Sequence, residues 1–217
     1  MKKYLFTSLE KQSCKDFTFV LIIGNEANIT HIKSFFNFNN SFKKIIIPQK
    51  KFKNYVRKIA KGFDVLISSR YDYDDRIYYD AVNDIRKEVN YNKPMFLYGY
   101  NRGFIYFESN DTYYEFERNF NLGVMSIFFS LITIIDKVND TYTILDLGNH
   151  ACIKKNLLDN YKLYGIPELK YDPALFEAGS PKFVYVRQNY SSYYNKNKQI
   201  YIGTRINNFN LSKFYGE

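Results

Sequence analysis

The stretch VLISSRYDYDDR, residues 65–76, decides how the rest of the chain is read. Phe63, Val65, Leu66 and Ile67 lead into two serines and an arginine, and then come the aspartates Asp72, Asp74 and Asp75. The apolar run has the length and β-branched content of a buried strand, and a helical pattern resumes near Ile77. The acids therefore fall in the turn at a strand's carboxyl end, where open α/β sheets bind ligands. Carboxylates about 6 Å apart repel by ~3 kcal/mol per pair at an effective dielectric of about 20. A divalent cation relieves that repulsion, and Mg2+ or Mn2+ takes oxygen ligands, commonly one or two carboxylates with substrate phosphates. Spacing alone leaves a second reading open, in which Asp74 or Asp75 caps the helix that follows.

Upstream, residues 17–23 (FTFVLII) predict a buried strand ended by Gly24-Asn25-Glu26, and residues 28–38 a helix. A second short strand over 44–47 stops at Pro48. Residues 50–62 form a basic amphipathic helix with Phe52, Tyr55, Val56 and Ile59 on one face. Its lysines either meet a membrane or nucleic acid or simply stay solvated. Residues 3–12 suit a short helix with Leu5, Phe6 and Leu9 inward. With the strand over 63–68 and a helix over 77–89, the order β-α-β-α-β-α predicts a parallel, doubly wound half.

Downstream the pattern changes. Short strands over 94–100, 103–108 and 113–116, separated by Asn-Arg-Gly and Ser-Asn-Asp, read as antiparallel hairpins. Further strands are expected over 141–145 and 182–187, with a helix over 154–161. No repeat or low-complexity linker divides the chain, so 1–217 reads as one α/β domain.

Composition sets wider bounds. A 46% apolar fraction over 217 residues fits a folded chain with a substantial core. The formal charge of +9 favours anionic partners, among them nucleotide sugars, nucleic acids and acidic membrane surfaces. Cys14 and Cys152 have no metal-ligand spacing and indicate no disulfide framework. The longest apolar stretch, 122–135, is too short to span a bilayer and reads as core. The N-terminus lacks an apolar segment followed by a small-residue cleavage site. A cytoplasmic protein without a transmembrane segment is expected, with peripheral membrane contact open.

Ser69-Arg70-Tyr71-Asp72-Tyr73-Asp74-Asp75 resembles the Thr-Arg-Leu-Asp-x-Asp-Asp hallmark of the rhamnosyltransferase family among GT-A-type glycosyltransferases. The run SLEKQSCKDFTFVLIIGNE, residues 8–26, is similar to that family's opening, and Gly148-Asn149-His150 and Tyr185-Val186-Arg187-Gln188-Asn189 to its two later motifs. The resemblance covers most of the chain in order, with the DxD motif its specific part. It implies a GT-A-like, Rossmann-like mostly parallel sheet with helices on both faces plus a smaller antiparallel sheet. Residues 1–92 would form the nucleotide-binding half and 93–217 the acceptor-binding half.

The implied activity is hexosyl transfer from a nucleotide-sugar donor, rhamnose by family label, to a glycan or other hydroxyl acceptor. Asp74 would ligate Mn2+ or Mg2+, Asp72 would contact the ribose or a metal-bound water, and Asp75 would be a second ligand or the helix cap. Arg70 would pair with the aspartates or with the nucleotide, and His150 would lie near the sugar. Three departures stand out. Relatives carry an acid after the pair that here is Ser130-Leu131, whereas this chain reads Ile132-Thr133, so Asp136 becomes the candidate base. Arg187 stands where relatives place a histidine; it cannot ligate a metal but can hold a diphosphate bidentately, beside Asn189. The first strand of a GT-A sheet is expected to be missing before the opening helix. Two other readings remain: a degenerate, non-catalytic GT-A-like binding protein, and a basic, aromatic-rich nucleic-acid module, for which no motif organises the tyrosines and lysines.

Overall fold

The computed structural model describes residues 2–36, 41–72, 75–100, 102–117, 128–148, 168–172, 182–187 and 201–217. A π-helical turn, Lys2–Phe6, runs into α1 (Thr7–Glu10), burying Leu5, Phe6 and Leu9 as the sequence predicts. β1 (Thr18–Ile23), α2 (Ile29–Phe36) and β2 (Lys43–Pro48) follow, and β1 pairs with β2 in parallel. Pro48 ends β2 and precedes α3 (Gln49–Ala60).

The parallel pattern stops there. β3 (Val65–Tyr71) pairs antiparallel with β8 (Phe128–Ile134), Val65 opposite Ile134 and Tyr71 opposite Phe128. β8 also pairs antiparallel with β5 (Met95–Tyr100), and β5 pairs in parallel with β9 (Glu168–Asp172), which gives the sheet order β3-β8-β5-β9. The reason lies in β8: all seven of its residues, FFSLITI, are buried. Such a strand needs a hydrogen-bonding neighbour on each edge, because unpaired backbone groups are costly away from water. The expected mostly parallel sheet is thus corrected among the described residues: the architecture is mixed α/β, with parallel and antiparallel pairs together. β1, expected to be buried, is half-buried over its first five residues, and among the described residues it pairs with β2 alone.

Besides this sheet and the separate β1-β2 pair, the remaining strands make a five-stranded sheet, in the order β11-β7-β6-β10-β4. Its members are β4 (Arg76–Ile77), β6 (Arg102–Phe107), β7 (Thr112–Glu117), β10 (Phe183–Arg187) and β11 (Tyr201–Ile206). Of the predicted hairpins, β6 with β7 forms, its turn carrying Asp111 at φ 50°. The one expected between 94–100 and 103–108 does not, because β5 is taken by β8 and β9 while β6 pairs with β7 and β10. Two further expectations change. The helix after the acidic turn is α4 (Ala81–Lys87), later than predicted, because Arg76 and Ile77 pair with Val184 and Phe183. Residues 141–145 form no strand; Thr143 and Asp146 make a capping box on the 3-10 turn Ile144–Leu147. The helix expected over 154–161 lies outside the described residues.

One apolar cluster joins Leu5, Ile85, Phe96, Phe128 and Phe183, and so spans the boundary expected at 92/93. No helix among the described residues is long and apolar enough to cross a membrane.

α3 is fastened to the segment after β8. Lys53 Nζ lies 3.1 Å from Asp146, and Arg57 donates to both oxygens of Asp140 at 3.0 and 2.9 Å. The Arg57 hydrogen bonds, with the backbone N–H of Thr141 and the charge of Lys53, hold the Asp140 carboxyl at about 2, down from 3.8. A depressed carboxylate stabilises the fold fully above 3.8 and loses that contribution as pH falls through about 2. Wild type should therefore exceed Asp140→Asn in thermal stability at neutral pH by a small margin, the pair being largely solvated. Circular dichroism melts on acidification should show that margin closing by about pH 2.

Candidate functional site

β3 delivers its motif to one end of the four-stranded sheet. Ser68 and Ser69, on opposite faces of β3, bond to neighbouring segments: Ser69 Oγ lies 2.7 Å from Ser130 Oγ, and Ser68 Oγ accepts from the Ile144 N–H at 2.8 Å. Arg70 and Asp72 then emerge, with Arg70 Nε 3.8 Å from Asp72 and the Asp72 side chain 38% exposed. The Asp75 N–H donates to Asp72 O at 3.4 Å, and Tyr71 Oη donates to Asp75 O at 2.8 Å, closing the turn. Burial pushes the Tyr71 phenol well above its ordinary range, so it remains a donor.

Asp75 faces inward and is fully buried. Its Oδ1 accepts from the Val186 N–H at 3.1 Å and lies 3.6 Å from the Arg187 guanidinium, which sits 3.1 Å from the Tyr185 ring centroid. Asp75 therefore binds the acidic turn to β10 and does not cap α4, which begins only at Ala81. The pairing also orients Arg187 toward the turn.

The opening motif closes the other side. Ser8 is fully buried, and its Oγ accepts from the Ile77 N–H at 3.4 Å. Gln12 Nε2 donates to Tyr78 O at 2.8 Å, and its Oε1 accepts from the Val82 N–H at 3.1 Å. A buried glutamine bonded at both ends of its amide meets the demand that buried polar groups be satisfied. Three stretches far apart in sequence, 8–12, 70–78 and 183–187, thus meet in one hydrogen-bonded unit.

Sequence reasoning missed Arg76. It is 6% exposed and its guanidinium lies 4.6 Å from the Tyr4 ring and 5.3 Å from the Tyr106 ring, while Nη1 donates to Tyr113 Oη at 3.3 Å. Aromatic faces attract a guanidinium, most strongly where water is excluded. Burial pushes the Tyr113 phenol up, so it too stays protonated beside the cation. Tyrosines at 4, 106 and 113 share no spacing that could have signalled the cage.

Asp136 is placed elsewhere. It is exposed in the 3-10 turn Ile135–Lys137, just past the end of β8 that pairs with the start of β3. The length of β3 separates it from Tyr71, roughly 20 Å, and the structure does not bring it to the carboxylates. Asp74, His150 and Asn189 lie outside the described residues.

As a cation site, the described part offers one accessible carboxylate, Asp72, with Asp75 committed to β10. That fits the sparse protein ligation Mg2+ commonly has when phosphates supply the other oxygens. Among the described residues no three His, Cys, Asp or Glu side chains cluster as a metal site. Comparison with known proteins finds no matching family model, no matching curated protein and no matching solved structure.

Proposed function

We propose that the carboxyl end of β3 is the donor site of a metal-assisted glycosyltransferase. It would move a hexose, rhamnose on the motif resemblance, from a nucleotide sugar to a hydroxyl acceptor, within a GT-A-like fold. The observation that supports this reading is the convergence of the three motif-bearing stretches, through Ser8, Gln12, Asp75 and Val186, around an accessible Asp72.

In this reading Asp72, with Asp74, holds Mn2+ or Mg2+. The ion would supply the Lewis acidity that stabilises negative charge on a departing diphosphate. Arg70 sets the Asp72 carboxylate and faces the nucleotide. Arg187, pre-oriented by Asp75, presents a guanidinium to the diphosphate, where its planar fork matches paired phosphate oxygens. The preorganisation matters because cations already aimed at developing charge need no rearrangement during reaction. Asp136 is too remote to take the acceptor's proton at this end, since a base must come within hydrogen-bond reach. His150 and Asn189 stay as candidates for the sugar and the donor.

A panel of nucleotide sugars with Mn2+ tests the reading. At least one donor should raise the melting temperature, and Asp74→Ala should remove the response. Saturation at 100 times Kd corresponds to ~2.7 kcal/mol of added stability, which is several degrees for a chain of this size. A panel without any shift would refute donor binding. The commitment of Asp75 to β10 and the distance of Asp136 favour a second reading, a non-catalytic relative that still binds the donor. It predicts the shift without release of nucleotide.

A further inference from the structure

The opposite end of the β3-β8-β5 sheet carries a surface the donor site does not use. There the Ile135 N–H donates to Asp64 O at 2.8 Å and the Ile134 N–H to Pro94 O at 2.9 Å. The turns before β3, after β8 and before β5 therefore lie side by side. Phe63 is 67% exposed and Tyr91 57% exposed, the largest values among the exposed apolar side chains described. The strands that follow them flank β8, roughly 10 Å apart. Phe63 comes directly after Gly62, whose φ of 87° turns the chain out of α3.

α3 runs into this end with its charge on one side. At about 100° per residue, Lys50, Lys51, Lys58 and Lys61 fall within an arc of about 100°, facing away from the buried Val56 and Ala60. All four are exposed, as is Lys137 in the turn beside Phe63; the exposed acids of the neighbouring turns are Asp64 and Asp136. Lys53 and Arg57, on the adjoining flank, are the cations that pair with Asp140 and Asp146.

We propose that this end docks on an anionic lipid surface, with Lys58, Lys61 and Lys137 over the headgroups and Phe63 and Tyr91 entering the boundary with the acyl chains. The charge is complementary, and an apolar ring next to lysines is the combination that interfacial binding uses. Tyrosine suits the headgroup level because its ring is apolar and its tip polar. The lysines lie on a convex helix face, whereas a single-stranded nucleic acid is held by a groove that tracks its backbone. Docking here leaves the Asp72 end of the sheet pointing away from the bilayer.

The chain contains no tryptophan, so Phe63→Trp reports on this position alone. With vesicles of phosphatidylcholine and phosphatidylserine, the emission of that variant should shift to the blue, and wild type should co-sediment with them but not with pure phosphatidylcholine. Each lysine near an anionic surface changes partitioning about fivefold. The double variant Lys58→Glu/Lys61→Glu should therefore lose on the order of 25-fold or more, and Phe63→Ser should also weaken sedimentation. Failure to sediment with anionic vesicles, an unshifted tryptophan emission from sedimented Phe63→Trp protein, or binding to oligonucleotides but not vesicles would each overturn the proposal. The fluorescence result stands even where the charge-reversed variant fails to fold.

Discussion

Asp75→Ala is expected to lower stability by about 3 kcal/mol, which for a chain of this size is a melting shift of roughly 10 °C. The carboxylate is fully buried, accepts from the Val186 N–H and stands 3.6 Å from Arg187. Removing it strands a buried backbone donor and deprives a partly buried guanidinium of its counter-charge, and both penalties fall on the folded state. Asp75→Asn keeps an oxygen for Val186 and should cost about 1 kcal/mol, so the difference between the two variants isolates the backbone contact. The loss should also be local. β4 pairs with β10 through Ile77–Phe183 and Arg76–Val184, and the Tyr78 N–H donates to Lys182 O at 3.0 Å, so the Asp75–Val186 bond is the one that ties the acidic turn itself to that strand. Thermal or urea melts check the size, and equal melts for Asp75→Ala and wild type would show that the turn is held by something else.

Gly103→Ala is expected to be comparably damaging, about 3 kcal/mol. A Cβ at 103 would stand 2.6 Å from the backbone oxygen of Phe183 and 2.6 and 2.7 Å from its ring. The ring belongs to a fully buried side chain, and the oxygen to a strand paired with β6, so neither can move aside cheaply. Relief would require β10 to shift, and β10 carries Val186 and Arg187. The variant should thus lose donor response along with stability, measured by the same melts with and without nucleotide sugar. Gly24→Ala is the control, since a Cβ there meets nothing within 4 Å.

Local patterns were legible wherever the structure they specify is local. The β6–β7 hairpin followed from its turn residues, and α3 from its apolar face and Pro48. What the sequence could not reveal was pairing between distant segments. β3 looked like the third parallel strand of a β-α-β-α-β run, but β8, far downstream, claims its edge. The helix predicted from Ile77 starts later because β10 captures Arg76 and Ile77, a long-range contact that overrides helical periodicity. Residues 141–145 read as a strand by composition, yet Thr143 and Asp146 satisfy each other locally and turn the chain.

The candidate site divides along the same line. The acids and Arg187 were visible as residue types, and their charge pointed to an anionic or cationic ligand. Spacing leaves Asp75 as a second ligand or a helix cap, because it cannot distinguish an aspartate facing solvent from one facing a strand. Ser8 and Gln12 entered only as letters of a motif; their bonds to Ile77, Tyr78 and Val82 give those letters a physical task. Asp136 was drawn toward the carboxylates by proximity to Ser130-Leu131 in sequence, whereas the β3–β8 register carries it to the far end of the sheet.

The most direct test of the donor site is Mn2+ binding followed by electron paramagnetic resonance, with and without a nucleoside diphosphate. The free-ion signal should fall below the level set by the nucleotide alone when protein is added, and return to that level with Asp72→Asn, whose altered side chain is 38% exposed. A signal that the protein never diminishes, or one diminished equally by Asp72→Asn, would contradict a nucleotide–metal site at the end of β3.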